Sequence, residues 1–237
     1  MYKAILFDLD QTLLDYNTSE FESMQNTIMH HRLIELAGFE EERFRSLYAP
    51  INWTYWSERT ERKLHISQVL NYSFRDTLVQ MGHDDTLSID LAETYWEFFC
   101  SNCHLMDGTQ DLLSALHGRY PLGVISNGVG EAQRRRLLAG GLSHYFDHLF
   151  ISDEVDCRKP ERQIFDLAIQ ALGVNRRQVL FVGDSLTDDY AGARNAGIDF
   201  CYFNPERGSV DPTIQPTFII HSLSELNALL AMKKNEQ

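Results

Sequence analysis

Apolar positions along this chain follow two regimes. The run Ala4-Ile5-Leu6-Phe7 has no helical spacing and halts at Asp8, which predicts a short buried strand. From about Tyr16 to His104 the apolar residues recur at helical intervals instead, at Ile28, Leu33, Ile34 and Leu36 and later at Val69, Leu70 and Leu78. Pro50 is the only proline in that stretch. After Asp107-Gly108 helix and strand alternate. Helices are expected over 109–117, 131–139, 161–172 and 189–196, each followed by a strand: 121–126, 148–152, 178–183 and 200–203. A last strand is expected over 217–220 and a closing helix over 223–232. Alternation of that kind implies right-handed crossovers and a parallel sheet covered on both faces.

The resulting expectation is an α/β chain, a Rossmann-like parallel sheet core with an inserted α-helical cap domain. Residues 1–15 with 106–237 would form the core and 16–105 the cap. An insert of that size is too long for a loop. Placed after the first strand, it would act as a lid over the C-terminal edge of the sheet, where open parallel sheets bind ligands.

Charge narrows the function. The chain has 21 Lys+Arg against 34 Asp+Glu, a net charge of −13. A nucleic-acid partner needs a basic stripe, and an anionic membrane repels an acidic chain, so neither is expected as a partner. No apolar run approaches a membrane span, and the acid at Asp8 comes too early for a signal peptide, so a cytoplasmic location is expected. The pair Cys100 and Cys103, followed by His104, matches the C-x-x-C-H pattern but reads as two ordinary thiols without export or a second close pair. The His30-His31 pair reads as surface or core. Arg134-Arg135-Arg136 is expected to face solvent. Trp53 and Trp56, three apart, are expected on the core face of a cap helix, although with Tyr55 they would also offer a face for a nucleobase.

What ends each predicted strand carries the chemistry. The first ends Asp8-Leu9-Asp10-Gln11-Thr12, the second Ser126-Asn127-Gly128, the third leads to Lys159-Pro160, and the fourth ends Gly183-Asp184-Ser185 before Asp188-Asp189. Asp8 and Asp10, two apart, point the same way because the strand period is two. Crowded carboxylates stay ionised only beside a cation, and hard oxygen ligands suit Mg²⁺. Ser126 and the amides after it would cradle an anion at a helix start, and Lys159 would place a point charge on a phosphoryl oxygen.

With these four motifs in order, the sequence resembles the haloacid dehalogenase-like hydrolase superfamily over essentially its whole length. Motif one is Phe7-Asp8-Leu9-Asp10-Gln11-Thr12, motif two Val124-Ile125-Ser126-Asn127, motif three Lys159-Pro160, and motif four Gly183-Asp184-Ser185 with Asp188-Asp189. The continuation Tyr190-Ala191-Gly192-Ala193-Arg194-Asn195-Ala196-Gly197 sets a register that favours Asp189 over Asp188 as the second acid.

The resemblance implies a role for each residue. Asp8 would attack phosphorus to give an aspartyl-phosphate, and Asp10 would act as general acid and then base. Mg²⁺ would sit on Asp8, the Asp10 carbonyl and Asp184, with Asp189 in support. Ser126, Asn127 and Lys159 would hold the phosphoryl oxygens, and Thr12 would help to bind phosphate by fixing the Asp8 loop. Asp10 separates phosphate-ester hydrolysis from the 2-haloacid dehalogenases, whose branch lacks it. Together with the insert it also sets aside a phosphoacceptor module that holds a phosphoryl group without turnover. The stretch through Asp15-Tyr16 and the segment Cys201-Tyr202-Phe203-Asn204-Pro205 are similar to the pyrimidine and noncanonical 5′-nucleotidases. The expected partner is therefore a small phosphorylated metabolite, a nucleoside 5′-monophosphate or alternatively a sugar phosphate such as N-acylneuraminate-9-phosphate. Asp156 and Cys157 stand before Lys159 where relatives often carry Gly.

Overall fold

Strand β1 (Ala4–Phe7) is buried at every residue, as expected of an apolar run with no polar alternation. It lies centrally in a six-stranded sheet whose other members are β2 (Leu122–Ser126), β3 (His148–Ile151), β4 (Val179–Gly183), β5 (Asp199–Phe203) and β6 (Phe218–Ile220). The order is β3-β2-β1-β4-β5-β6 and every pairing is parallel. In register, Phe7 faces Val124 on one side and Val182 on the other, so the ends of β1, β2 and β4 reach one edge together. The computed structural model describes residues 1–235.

The helices in chain order are α1 (Tyr16–His30), α2 (Glu41–Ser57), α3 (Ile66–Met81), α4 (Ser88–Ser101), α5 (Thr109–Leu116), α6 (Gly130–Ala139), the single turn α7 (Ser152–Val155), α8 (Arg162–Leu172), α9 (Ala191–Ala196) and α10 (Leu223–Asn235). The chain divides into two compact units, Met1–Asn17 with Cys103–Gln237, and Thr18–Asn102.

In the first unit the strand period of two sorts the core into layers. Ile5, Phe7, Leu122, Val124, Leu180 and Val182 pack with Leu112, Leu113 and Leu116 of α5 and Leu223, Leu226 and Leu230 of α10. Leu6, Ile125, Val179 and Phe181 point the other way, onto Ile164, Phe165, Ala168 and Ile169 of α8 and Ala193 and Ala196 of α9. The helix expected over 189–196 is broken: Leu186–Tyr190 forms a wide π-type turn, and the α-helix begins at Ala191.

The second unit is all helical and carries an aromatic core. Phe44, Tyr48, Phe74 and Tyr95 are buried, with the Tyr48 and Phe74 rings 4.8 Å apart. Helix α3 opens with reciprocal capping: His65 accepts from the Ser67 amide, and Gln68 Oε1 takes the His65 amide at 2.9 Å. Two expectations fail here. Helix α1 ends before Leu33, because Arg32 adopts a left-handed backbone with φ 52°. Ile34 and Leu36 are consequently exposed rather than part of a helical stripe. Trp53 is 67% exposed, because the buried stripe of α2 runs through Phe44 and Tyr48, four apart, and Trp53 lies off it. Among the described residues no helix is long and apolar enough to cross a membrane.

Candidate active site

The turn after β1 is wound tightly around one carbonyl. Leu9 O accepts from the amides of Thr12, Leu13 and Leu14, and Gln11 sits at φ 63° to close the turn. Asp8, whose amide donates to Val182 O of β4 at 2.9 Å, is thereby held, buried, at the sheet edge.

The turn after β4 and the loop between α7 and α8 converge on its carboxylate. Lys159 Nζ donates to Asp8 Oδ1 at 2.5 Å and to Asp189 Oδ1 at 2.7 Å, with all three side chains buried. Asp184 accepts from the Thr12 hydroxyl at 3.1 Å. Asp8, Asp184 and Asp189 each bring a carboxylate oxygen within 4.8 Å of the others. One lysine thus faces three carboxylates, and the imbalance shows in their protonation. Burial pushes Asp8 well above the carboxylate range, against the pull of Lys159 and with the push of Asp189 and Asp184. Burial and Asp189 raise Asp184 to about 6. Burial disfavours the charged lysine, yet Asp189 and Asp8 outweigh it and hold Lys159 protonated. A compact, lysine-deficient set of hard oxygen donors fits a small divalent cation, which would supply the missing positive charge.

The geometry separates the adjacent acids. Asp189 is wholly buried, pairs with Lys159 and accepts the Ser185 amide at 2.9 Å. Asp188 instead accepts from Asn127 Nδ2 at 3.3 Å and stands outside the carboxylate cluster. Asn127 has a use that its position in the sequence did not reveal. Its Oδ1 takes the Lys159 amide at 2.8 Å and its Nδ2 donates to the Lys159 carbonyl at 2.9 Å, fixing the backbone that carries the lysine. Asp156 has φ 54°, a left-handed conformation that Asp tolerates better than most residues.

Asp10 lies in a second cluster on the same turn. Its Oδ1 pairs with Arg136 Nη1 at 2.6 Å and its Oδ2 accepts from Gln133 Nε2 at 2.6 Å. Gln133 also donates to Ser126 Oγ at 2.9 Å, and Ser126 Oγ accepts the Gly128 amide. This corrects the expectation for the arginine run: Arg136 is fully buried, while Arg134 turns outward to Glu154 and Arg135 to Glu131. Successive side chains on a helix diverge by about 100°, so three neighbours cannot share one environment. Gln133 does not stand out from the sequence, and Arg136 is expected there in solvent with the rest of its run. The available signal was that they lie among buried Ala132 and Leu137 on one face of α6.

A carboxylate cluster around a lysine, beside a hydroxyl cradle and a second carboxylate held separately, is built for acyl- or phosphoryl-type group transfer. A profile described as haloacid dehalogenase-like hydrolase matches residues 2–197. The chain belongs to that family, and it is an enzyme, a hydrolase of the phosphatase type. Pyrimidine 5′-nucleotidase PynA of Streptococcus pneumoniae is 30% identical over 95% of this chain and 93% of its own. Pyrimidine 5′-nucleotidase YjjG of Escherichia coli is 31% identical over 95% and 96%. The crystal structure of the HAD-hydrolase YfnB of Bacillus subtilis bound to magnesium superposes with a TM-score of 0.79, at 30% identity over 97% of this chain and 98% of the other.

Proposed function

We propose that this enzyme hydrolyses small phosphoric monoesters, nucleoside 5′-monophosphates first among them, through an aspartyl-phosphate on Asp8 and with Mg²⁺ held by Asp8, Asp184 and Asp189 and by the Asp10 carbonyl. The observation that carries this reading is Lys159 Nζ, which bridges the buried Asp8 and Asp189 in a three-carboxylate cluster completed by the half-buried Asp184. When bound, the cation supplies positive charge to the phosphoryl oxygens and to the crowded carboxylates.

The chain's own groups account for the rest. A carboxylate oxygen of Asp8 attacks phosphorus as the ester oxygen departs, and Asp10 gives that oxygen its proton. Water then attacks the phosphorus, Asp10 takes the proton back, and the bond from phosphorus to Asp8 breaks to release inorganic phosphate. Lys159 and the Ser126–Gly128 turn hold the phosphoryl oxygens where charge develops, and Asn127 holds Lys159. Thr12 steadies Asp184. Preference for a nucleotide is supported by the two nucleotidase relatives.

Phosphate release from p-nitrophenyl phosphate, with and without Mg²⁺ and repeated on Asp8→Asn, tests the mechanism. Metal-dependent activity that vanishes in Asp8→Asn is expected; activity retained without metal or in the variant overturns it. A panel of UMP, dUMP, other nucleotides, sugar phosphates and N-acylneuraminate-9-phosphate tests the substrate. Higher kcat/KM on a sugar phosphate than on any pyrimidine nucleotide would overturn the narrower reading.

A further inference from the structure

Asp10 has to serve one proton transfer in each half of the reaction proposed above, from a side chain with two rotatable bonds at the rim of a short turn. Its carboxylate is 30% exposed, so packing alone does not hold it. Two buried donors from α6 do. Arg136 Nη1 takes Oδ1 and Gln133 Nε2 takes Oδ2, both at 2.6 Å. Arg136 is 0% and Gln133 2% exposed. Three apart on the helix, they present to one side.

The Gln133 amide admits one orientation. Its Oε1 accepts from Arg136 Nη1 at 3.1 Å, which leaves the two N–H groups for Asp10 Oδ2 and Ser126 Oγ. Turning the amide over would aim its oxygen at the Asp10 carboxylate and its NH₂ at the guanidinium. Arg136 therefore sets Gln133, and Gln133 ties the acid to the hydroxyl of the phosphoryl cradle. Space is kept for this arrangement, since a Cβ on Gly128 would lie 2.3 Å from Gln133 Nε2. Burying an arginine in this way is poor value for stability, because an apolar residue of like volume does as well or better. The geometry is where it has a use.

We propose that Gln133 and Arg136 are positioning residues that fix the Asp10 carboxylate relative to Ser126 for both proton transfers; the proposal rests on the phosphatase reading above. A misplacement of about 1 Å at a reacting group costs on the order of 100-fold in rate. The pair acts on turnover and not on the affinity for substrate.

The test uses Gln133→Leu and Arg136→Lys in the full chain, with circular dichroism and thermal unfolding to establish folding. On a nucleoside 5′-monophosphate, kcat should fall roughly 10–100-fold with KM within about twofold. On p-nitrophenyl phosphate the leaving group departs as a stable anion, so the loss should move to the second step, and acid-quenched phosphoenzyme should accumulate above the wild-type level. In an Asp10→Asn background, Gln133→Leu should cost less than about threefold further, because both changes remove one function.

Losses that multiply across that cycle, a raised KM with kcat kept, or no rise in phosphoenzyme overturn the proposal. Should Arg136→Lys fail to fold, Gln133→Leu, which removes no charge, decides. A wild type that releases no phosphate, or an Asp8→Asn variant as active as wild type, overturns the phosphatase reading and this proposal together. An active, Asp8-dependent enzyme with wild-type kcat in Gln133→Leu overturns this proposal alone.

Discussion

Lys159 Nζ stands 2.5 Å from Asp8 Oδ1, and the two side chains are 4% and 8% exposed. A charge pair this dry is held by its partners and not by water. Two strand ends far apart in sequence are thereby joined through a single ammonium, which also reaches Asp189.

Lys159→Met is accordingly expected to cost both stability and rate. Removing one member of a buried charge set typically costs about 3–5 kcal/mol, since the remaining carboxylates are left unpaired. Loss of a donor to the developing charge should lower kcat by on the order of 10²–10³. Urea unfolding in EDTA and in Mg²⁺ checks the first part. The cation should restore more stability to the variant than it adds to wild type, because it replaces the missing positive charge.

The same crowding gives a pH dependence with a definite sign. Asp184 is raised from its ordinary 3.8 to about 6, and Asp8 shifts in the same direction. A raised carboxyl favours the folded state fully below its unfolded value, and that contribution is lost as pH climbs through the folded value. Without a divalent cation, stability from this cluster should therefore decline between about pH 4 and 6. The gain in Tm on adding Mg²⁺ should be small at pH 5 and larger at pH 7.5, since the cation competes with protons for the same oxygens. A gain independent of pH would contradict this account.

The strand ends were readable because the chemistry lies in unbroken local patterns, an apolar run closed by Asp8-Leu9-Asp10 or by Gly183-Asp184. Parallel pairing then brings such ends together with no further information needed. The sites that escaped were set by direction around a helix. Arg136 looks like its neighbours in sequence, but it occupies the inward face with Leu137, while Arg134 and Arg135 meet surface acids. Trp53 misled in the opposite sense, since a large apolar side chain was placed inside when the stripe through Phe44 and Tyr48 had already filled the core. Asn127 was placed at the phosphate by its motif, but its amide side chain spans the Lys159 peptide, a pairing between distant loops that no local pattern encodes.

That stripe makes a stability contrast in the helical unit. Phe74 is fully buried, with the Phe44, Tyr48 and Tyr95 rings around it. Phe74→Ala should destabilise by about 3–5 kcal/mol through lost burial and a cavity. Trp53→Ser, on an exposed position, should stay within about 0.5 kcal/mol of wild type. Chemical denaturation of both variants checks the pair. Equal losses would mean that Trp53 packs as firmly as the core.

Gly183→Ala isolates the closeness of the acid to the backbone. A Cβ at Gly183 would lie 2.3 Å from Asp189 Oδ2 and 2.9 Å from Asp189 Cβ, nearer than real contacts allow. The carboxylate would have to swing away, and with it would go the bonds to Lys159 Nζ and to the Ser185 amide. Strand β4 itself has no objection to alanine, since its neighbours Val182 and Phe181 are ordinary strand residues. The change should therefore act on the cluster. Mg²⁺ affinity and kcat are expected to fall on the order of 10–100-fold, the usual consequence of disturbing a residue that orients metal ligands. Secondary structure should persist. Calorimetric titration of Mg²⁺ alongside phosphate release measures both. Wild-type affinity for Mg²⁺ in a folded Gly183→Ala protein would show that Asp189 does not need this close approach to support the cation.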